Sequence, residues 1–408
     1  MKILSFFAVF VFISLHIYAQ ADFEKQLQTQ FLMAEPGDLI EIPAGTYQIK
    51  RSLWLDAGKD VTIRGAGMDQ TVLSFANQAE GAEGIKVTGG ENIIIEDLTV
   101  QDAIGDAIKT QHVNGIVFRR VNTSWTGKPK KTNGAYGLYP VQCQNVLIDE
   151  CTAVGASDAG IYVGQSSQII VRNSTAHHNV TGIEIENSEY ADVYNNKAYQ
   201  NAGGILVFDL PNLTKKNGGH IRVFDNEVYE NNHKNFAPKG NIVAGVPPGT
   251  GIMLLAANDV EVFENRIINN RTSGTAIISY FMTEEPITDE SYDPYSRRIY
   301  IHDNHYERER VSATRKGRMG KMYQFKLKFG KDVPHIIYDG ILPEEGQNAQ
   351  GLPTDEYRLC IRNNENASFA NIDAAGDFEN INRDMSAYDC SLPSLKATKL
   401  AMEDEKGK

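Results

Sequence analysis

Residues 145–198 read NVLIDECTAVGASDAGIYVGQSSQIIVRNSTAHHNVTGIEIENSEYADVYNNKA. Strand patterns start at Asn145, Gln168 and Tyr190, so the steps between them are 23 and 22 residues. A second set, AGIYVGQS at 159 and TGIEIENS at 181, interleaves with the first at a step of 22. Each strand alternates apolar and polar residues, which is the period of an extended chain with one buried face. A step this short leaves no room for a crossover helix between parallel strands. Each unit must therefore bury its apolar face by stacking on its neighbours.

The same two patterns recur outward from this stretch. The first set includes NIIIEDLTV (92), GIVFRRVNT (115), HIRVFDNEV (220), DVEVFENRI (259) and RIYIHDNHY (298). The second includes DAIKTQHV (106), GLYPVQC (137), GGILVFDL (203) and GTGIMLLA (249). The expectation is an all-β chain, a right-handed single-stranded parallel β-helix over residues 22–306. Alignment puts Leu98, Val121, Cys151, Ser174, Asn196, Asn226, Asn265 and Asn304 in one column, and Asn179, Asn201, Asn231 and Asn270 in another. Stacked Asn side chains that bond one another and their turns satisfy buried polar groups, so these columns read as scaffold. Phe23, Leu27, Phe31 and Leu32 share a helical face suited to capping the open N-terminal end. Residues 307–398 read as C-terminal coils and a lid with a basic insertion, and 399–408 as a disordered tail.

Residues 1–21, with Lys2, an apolar run and a small-residue exit, read as a signal peptide cleaved near Ala19–Ala21, which predicts a secreted or periplasmic protein with no transmembrane segment after its removal. A net charge of −12 across 408 residues argues against nucleic acid as a partner. Cys360 and Cys390 are the candidate disulfide in an exported chain, and Cys143 and Cys151 fall within strand patterns as buried thiols. No His or Cys spacing supports zinc, and calcium is compatible with the Asp, Glu and Asn content although no ligand set stands out.

The periodicity breaks at 124–136, 210–219 and 231–249. The first and third breaks fall at the same junction, so their loops should flank the strands between them as two walls. Alternation along those strands points Lys109, Tyr139, Tyr162, Glu184, Leu206 and Met253 outward in one column, with Glu186 and Phe208 in the next and Asp158 just before its strand. Lys128, Lys130 and Lys131 on the first loop add positive charge. Taken singly, outward Tyr and Glu are ordinary cross-strand pairs; together they read as a trough for an acidic polysaccharide.

Over nearly its whole length the chain resembles the pectate-lyase-like superfamily of β-helix proteins. YGLYPVQCQNVLIDECTAVGASDAGIYVGQSSQIIVRNSTAHHN (136–179) is similar to the mannuronan C5-epimerase coil, which carries Tyr-Gly-Phe-Asp-Pro-His. Tyr136, Gly137 and Pro140 match, whereas Tyr139 stands in place of that family's catalytic Asp and Val141 in place of its His. Runs such as GIEIENS, GGILVFDLP and NFAPKGNIVAGVPPGTGI resemble secreted bacterial parallel β-helix repeat proteins.

Uronate lyases and epimerases need a cation against the sugar carboxylate, a base and an acid. Lys109 supplies the cation, and Tyr136, Tyr139 or Tyr162 the base or acid, provided a lysine lowers the tyrosine pKa. Glu184, Glu186, Asp158, Phe208, Lys128 and Lys131 then bind the sugar. Two alternatives stand beside this reading. One is glycoside hydrolysis by Asp158 with Glu184 or Glu186. The other is a non-catalytic envelope protein that binds glycan or works with another exported protein; the basic segment 308–331, with nine Lys or Arg against one Glu, then reads as a docking surface, an extra wall of the groove or, by default, a solvated hairpin.

Overall fold

The computed structural model describes residues 23–314 and 321–401. The proposed signal peptide and the end of the tail lie outside the described residues. Strands pair in parallel throughout the stack, each with the strand one coil earlier and one coil later. A typical coil contributes Ser167–Arg172 and Thr175–His177 to one large sheet and Thr181–Glu186 to a second, narrower sheet. Ile161, Val163, Ile183 and Ile185 point inward and are fully buried, as their alternation requires.

Two side-chain ladders hold the corners. The backbone N–H of Asn196 donates to Asn226 Oδ1 at 3.0 Å, Asn226 donates likewise to Asn265, Asn265 to Asn304 and Asn304 to Asn364. Asn179, Asn201, Asn231 and Asn270 repeat the pattern at the next corner. Each Asn amide also donates to a carbonyl in the strand of the preceding coil, as Asn226 Nδ2 does to Val193 O at 2.9 Å. A turn that would leave donors and acceptors orphaned inside the stack is thereby satisfied coil by coil. Outside the large sheet, Tyr194, Phe224, Phe263 and His302 stack at 4.8–5.2 Å between ring centres.

The helix over residues 23–32 closes the first coil, with Leu27 and Phe31 buried and Phe23 stacked on Tyr47 at 3.8 Å. Leu32 departs from the expected face and is 55% exposed. It lies one position beyond the Phe23–Leu27–Phe31 row, so the helical turn carries it past the core.

The stack runs on beyond residue 306, through Leu359–Arg362 in the large sheet and Ile336–Tyr338 and Phe369–Asn371 in the narrow one. Cys360 and Cys390 form a disulfide. From there the chain turns back across the large sheet as a strap. Leu395 N–H donates to Glu261, Thr398 Oγ1 to Asp192, and Ala401 N–H to Asn145. Leu400 is buried among Val117, Leu147 and Ile170, so the tail expected to be disordered from residue 399 is packed at least to 401. Among the described residues no helix is long and apolar enough to cross a membrane.

The ladder assigns a cost to each rung. Asn226→Ala orphans the Asn196 donors and Val193 O, and each unpaired buried group costs about 1–3 kcal/mol. Chemical denaturation should show a loss of roughly 3 kcal/mol or more; a loss below roughly 1 kcal/mol would show that the ladder contributes little.

Candidate functional site

The outward column of the narrow sheet is continuous in register. Trp54 pairs with Lys86, Lys86 with Lys109, and Lys109 with Tyr139. Beyond Tyr139, Tyr162 pairs with Glu184, Glu184 with Leu206, Leu206 with Met253 and Met253 with Ala276. Lys109, Tyr139, Tyr162 and Glu184 therefore lie on one face.

That face is not an open trough along its length. Lys109, Tyr136 and Tyr139 are half-buried and Trp54 is 42% exposed, but Tyr162 is only 4% and Glu184 only 1% exposed. The column turns apolar at Leu206, and loops cover it from both corners. Val243 and Val246 come from the 231–249 loop, and Tyr280 and Tyr292 from a fourth insertion at 279–296, to pack over Leu206, Phe208 and Met253. The second loop is pinned by Tyr292 Oη donating to Asp209 O at 2.6 Å and by Lys216 paired with Asp289 at 2.6 Å. Further along, Tyr323, Leu327 and Phe329 of the basic segment cover Ile337 and Ala370. Those three side chains thus form part of a roof. The loops fill the downstream half of the expected trough because the ladder beneath them is apolar and gains by burial.

This overturns part of the predicted site. Phe208 and Glu184 sit beneath the roof, out of reach of a sugar, and Glu184 Oε2 has no hydrogen-bond partner. Glu186 is also buried and accepts a 2.6 Å bond from Tyr162 Oη. Asp158 is buried under the roof loop, where Asn241 Nδ2 donates to it at 2.7 Å. The pairing of Asp158 with Glu184 or Glu186 across a glycosidic bond is therefore closed off. Lys128 and Lys131 stand on the exposed 125–135 loop.

What remains accessible is the mouth where the open ladder meets the roof. Tyr136, Tyr139 and Tyr162 form a cluster with ring centres 4.4–5.0 Å apart. Lys109 Nζ lies over the Tyr139 ring at 4.9 Å, and Lys86 lies over Trp54 at 5.9 Å. Upstream, Trp54 and Lys86 line an open cleft of about 390 Å³ with Arg51 and Glu83. Asp106, half-buried, joins the mouth from the turn before Lys109. Sequence reasoning missed Asp106, Trp54 and Lys86. The inward-outward-inward runs LWL at 53–55 and IKV at 85–87 extend the same column, and Asp106 aligns with Tyr136.

Electrostatics run against the expected lowering of the tyrosine pKa values. Desolvation, followed by the charges of Asp106, Glu186 and Asp158, raises the Tyr139 pKa above its ordinary value. Tyr136 and Tyr162 are raised too, again chiefly by burial and then by nearby carboxylates. Raised pKa values favour the protonated hydroxyl, and Tyr162 Oη donates to Glu186. Burial pushes the carboxyl groups up as well. Asp106 rises to about 6, with Lys109 and the Tyr136 backbone N–H opposing the shift. Asp158 rises through burial, against the Asn241 bond. Glu184 and Glu186 rise through burial and mutual repulsion with Asp158. Among the described residues no group of three or more His, Cys, Asp or Glu is arranged to hold a metal.

A family model described as "Right handed beta helix region" matches residues 81–234. The fold is a right-handed parallel β-helix. The Azotobacter vinelandii mannuronan C-5 epimerase AlgE4 A-module superposes with a TM-score of 0.52 at 16% identity, covering 81% of this chain and 86% of that one. The AlgE6 A-module of the same organism gives 0.50 at 17% identity, covering 69% and 82%. At such identities the likeness is one of fold. No curated protein matches the sequence.

The buried carboxyls make stability depend on pH. A raised pKa means that the folded state keeps protons the unfolded chain releases, so stability should fall as pH rises from about 4 through neutrality. Glu184→Leu continues the apolar column and removes an unpaired group. It should raise the melting temperature at pH 8, by about 1–3 kcal/mol of stability, and raise it less at pH 4.5. Equal effects at both pH values would mean that Glu184 carries no such penalty.

Proposed function

We propose that the protein is an exported carbohydrate-active β-helix that binds an acidic polysaccharide along the open ladder and removes the proton beside a uronate carboxylate. The observation that carries this reading is the half-buried Lys109–Tyr139 pair beside Asp106, at the mouth of the roofed sheet. Lys109 neutralises the sugar carboxylate, which makes the adjacent C5 proton more acidic. Asp106, ionised at neutral pH, accepts that proton. Tyr139, held protonated, gives its proton to the departing O4 as the C4–O bond breaks and the C4–C5 double bond forms. Asp106 then returns a proton to Tyr139 through solvent. If the C4–O bond holds and a proton is returned to C5 from the opposite face, the outcome is epimerisation. Both routes use a carboxylate base and a tyrosine acid, in accord with the electrostatics of the mouth.

A second reading, glycan binding without turnover, is favoured by the cation–aromatic pairs Lys86–Trp54 and Lys109–Tyr139, which by themselves make an adhesive surface for an anionic sugar chain.

Purified protein should be incubated with alginate, polygalacturonate and glycosaminoglycans, following unsaturated uronate by absorbance and C5 proton exchange by NMR. Asp106→Asn should lower turnover by about 10²–10⁴-fold, the usual range for loss of a general base. Turnover that survives both Asp106→Asn and Lys109→Ala would remove the site. The rate should rise with pH through about 6 as Asp106 ionises, and a profile flat from pH 5 to 7 on the active polymer would count against Asp106 as base.

A further inference from the structure

We propose that this site is end-stopped: it takes the terminus of an acidic polysaccharide and excludes an interior stretch. The inference deepens the reading above and rests on it. The outward column is open for four consecutive coils, at Trp54, Lys86, Lys109 and Tyr139, and is buried from the next coil onward. Strands one coil apart lie about 4.8 Å from each other, so the open run from Trp54 to Tyr139 spans about 14 Å. A linear chain laid along it from the Trp54 end then meets packed side chains. Asn241 fixes the roof at the threshold through its 2.7 Å bond to Asp158. Directly behind, Val246 packs with Leu206 in a cluster of buried side chains.

Charge placement leads independently to the same conclusion. A polyuronate carries one carboxylate per sugar, and an interior stretch would need cations on both sides of the reacting residue. Lys86 and Lys109 lie on the open side only. Beyond Tyr139 the column runs Tyr162, Glu184, Leu206, Met253 and Ala276, with one buried acid near its start and no cation. The roofed column therefore offers a continuing anionic chain no counter-charge, besides blocking it.

The test is calorimetric binding of oligouronates prepared from alginate and from polygalacturonate, each unlabelled or carrying a bulky fluorophore at one end or the other. A label at one end should weaken binding at least tenfold, while a label at the opposite end should change it less than twofold. Products released from the intact polymer should be one or two sugars long from the first time point. If both labelled forms bind like the unlabelled one, or if early products form a broad ladder, the end stop is wrong and the acidic-glycan site stands. If no unlabelled oligouronate binds, both readings fall.

Discussion

Everything in this molecule depends on parallel strands stacking in register, coil upon coil. With a spacing of about 4.8 Å and no slip between most neighbours, a position in one coil is committed to contact with the same position in the next. A polar residue at a corner can then be satisfied only by its counterparts above and below. The Asn columns meet that demand with paired backbone and amide bonds, and the inward Ile and Val columns meet the apolar one. The same commitment turns the outer surface into ladders whose chemistry can change along the axis without disturbing the core.

That change along the axis makes the site. The narrow sheet presents aromatic and cationic side chains over its early coils and apolar ones over its later coils, while the backbone geometry stays constant. Loops respond to what lies beneath them. Where the ladder is apolar they settle and exclude water; where it carries Lys86, Lys109 and Tyr139 they leave it open. The mouth is a boundary between two surface chemistries on one continuous sheet. Its carboxyls have raised pKa values because the boundary is partly dry.

Much of this was legible in the chain itself. The steps of 22 and 23 residues determine the coil, and strict alternation places Lys109, Tyr139, Tyr162 and Glu184 in one column. The roof was not legible, because the 231–249 and 279–296 loops have no period to read and their partners are distant in sequence. Yet Leu206 and Met253 stand in the outward column, and two consecutive apolar residues on a supposedly wet face are the trace of a cover. The direction of the tyrosine pKa shifts was not legible for a related reason. Proximity to Lys109 suggests a lowered pKa, but desolvation followed by the charges of Asp106, Glu186 and Asp158 raises it at Tyr139, and burial cannot be counted from spacing alone.

The strap adds a constraint of a different kind. A stack of coils in contact only with their neighbours can fray from either end, since its contacts are short in range. Residues 395–401 bridge Glu261, Asp192 and Asn145, which belong to well-separated coils, and Leu400 seals the seam of Val117, Leu147 and Ile170. That seam is completed by a segment remote in sequence, since Ala401 lies 256 residues from its partner Asn145. Without that cover the coils beneath would show a greasy outer stripe, so a chain folded everywhere but at the strap would be stickier than the complete fold.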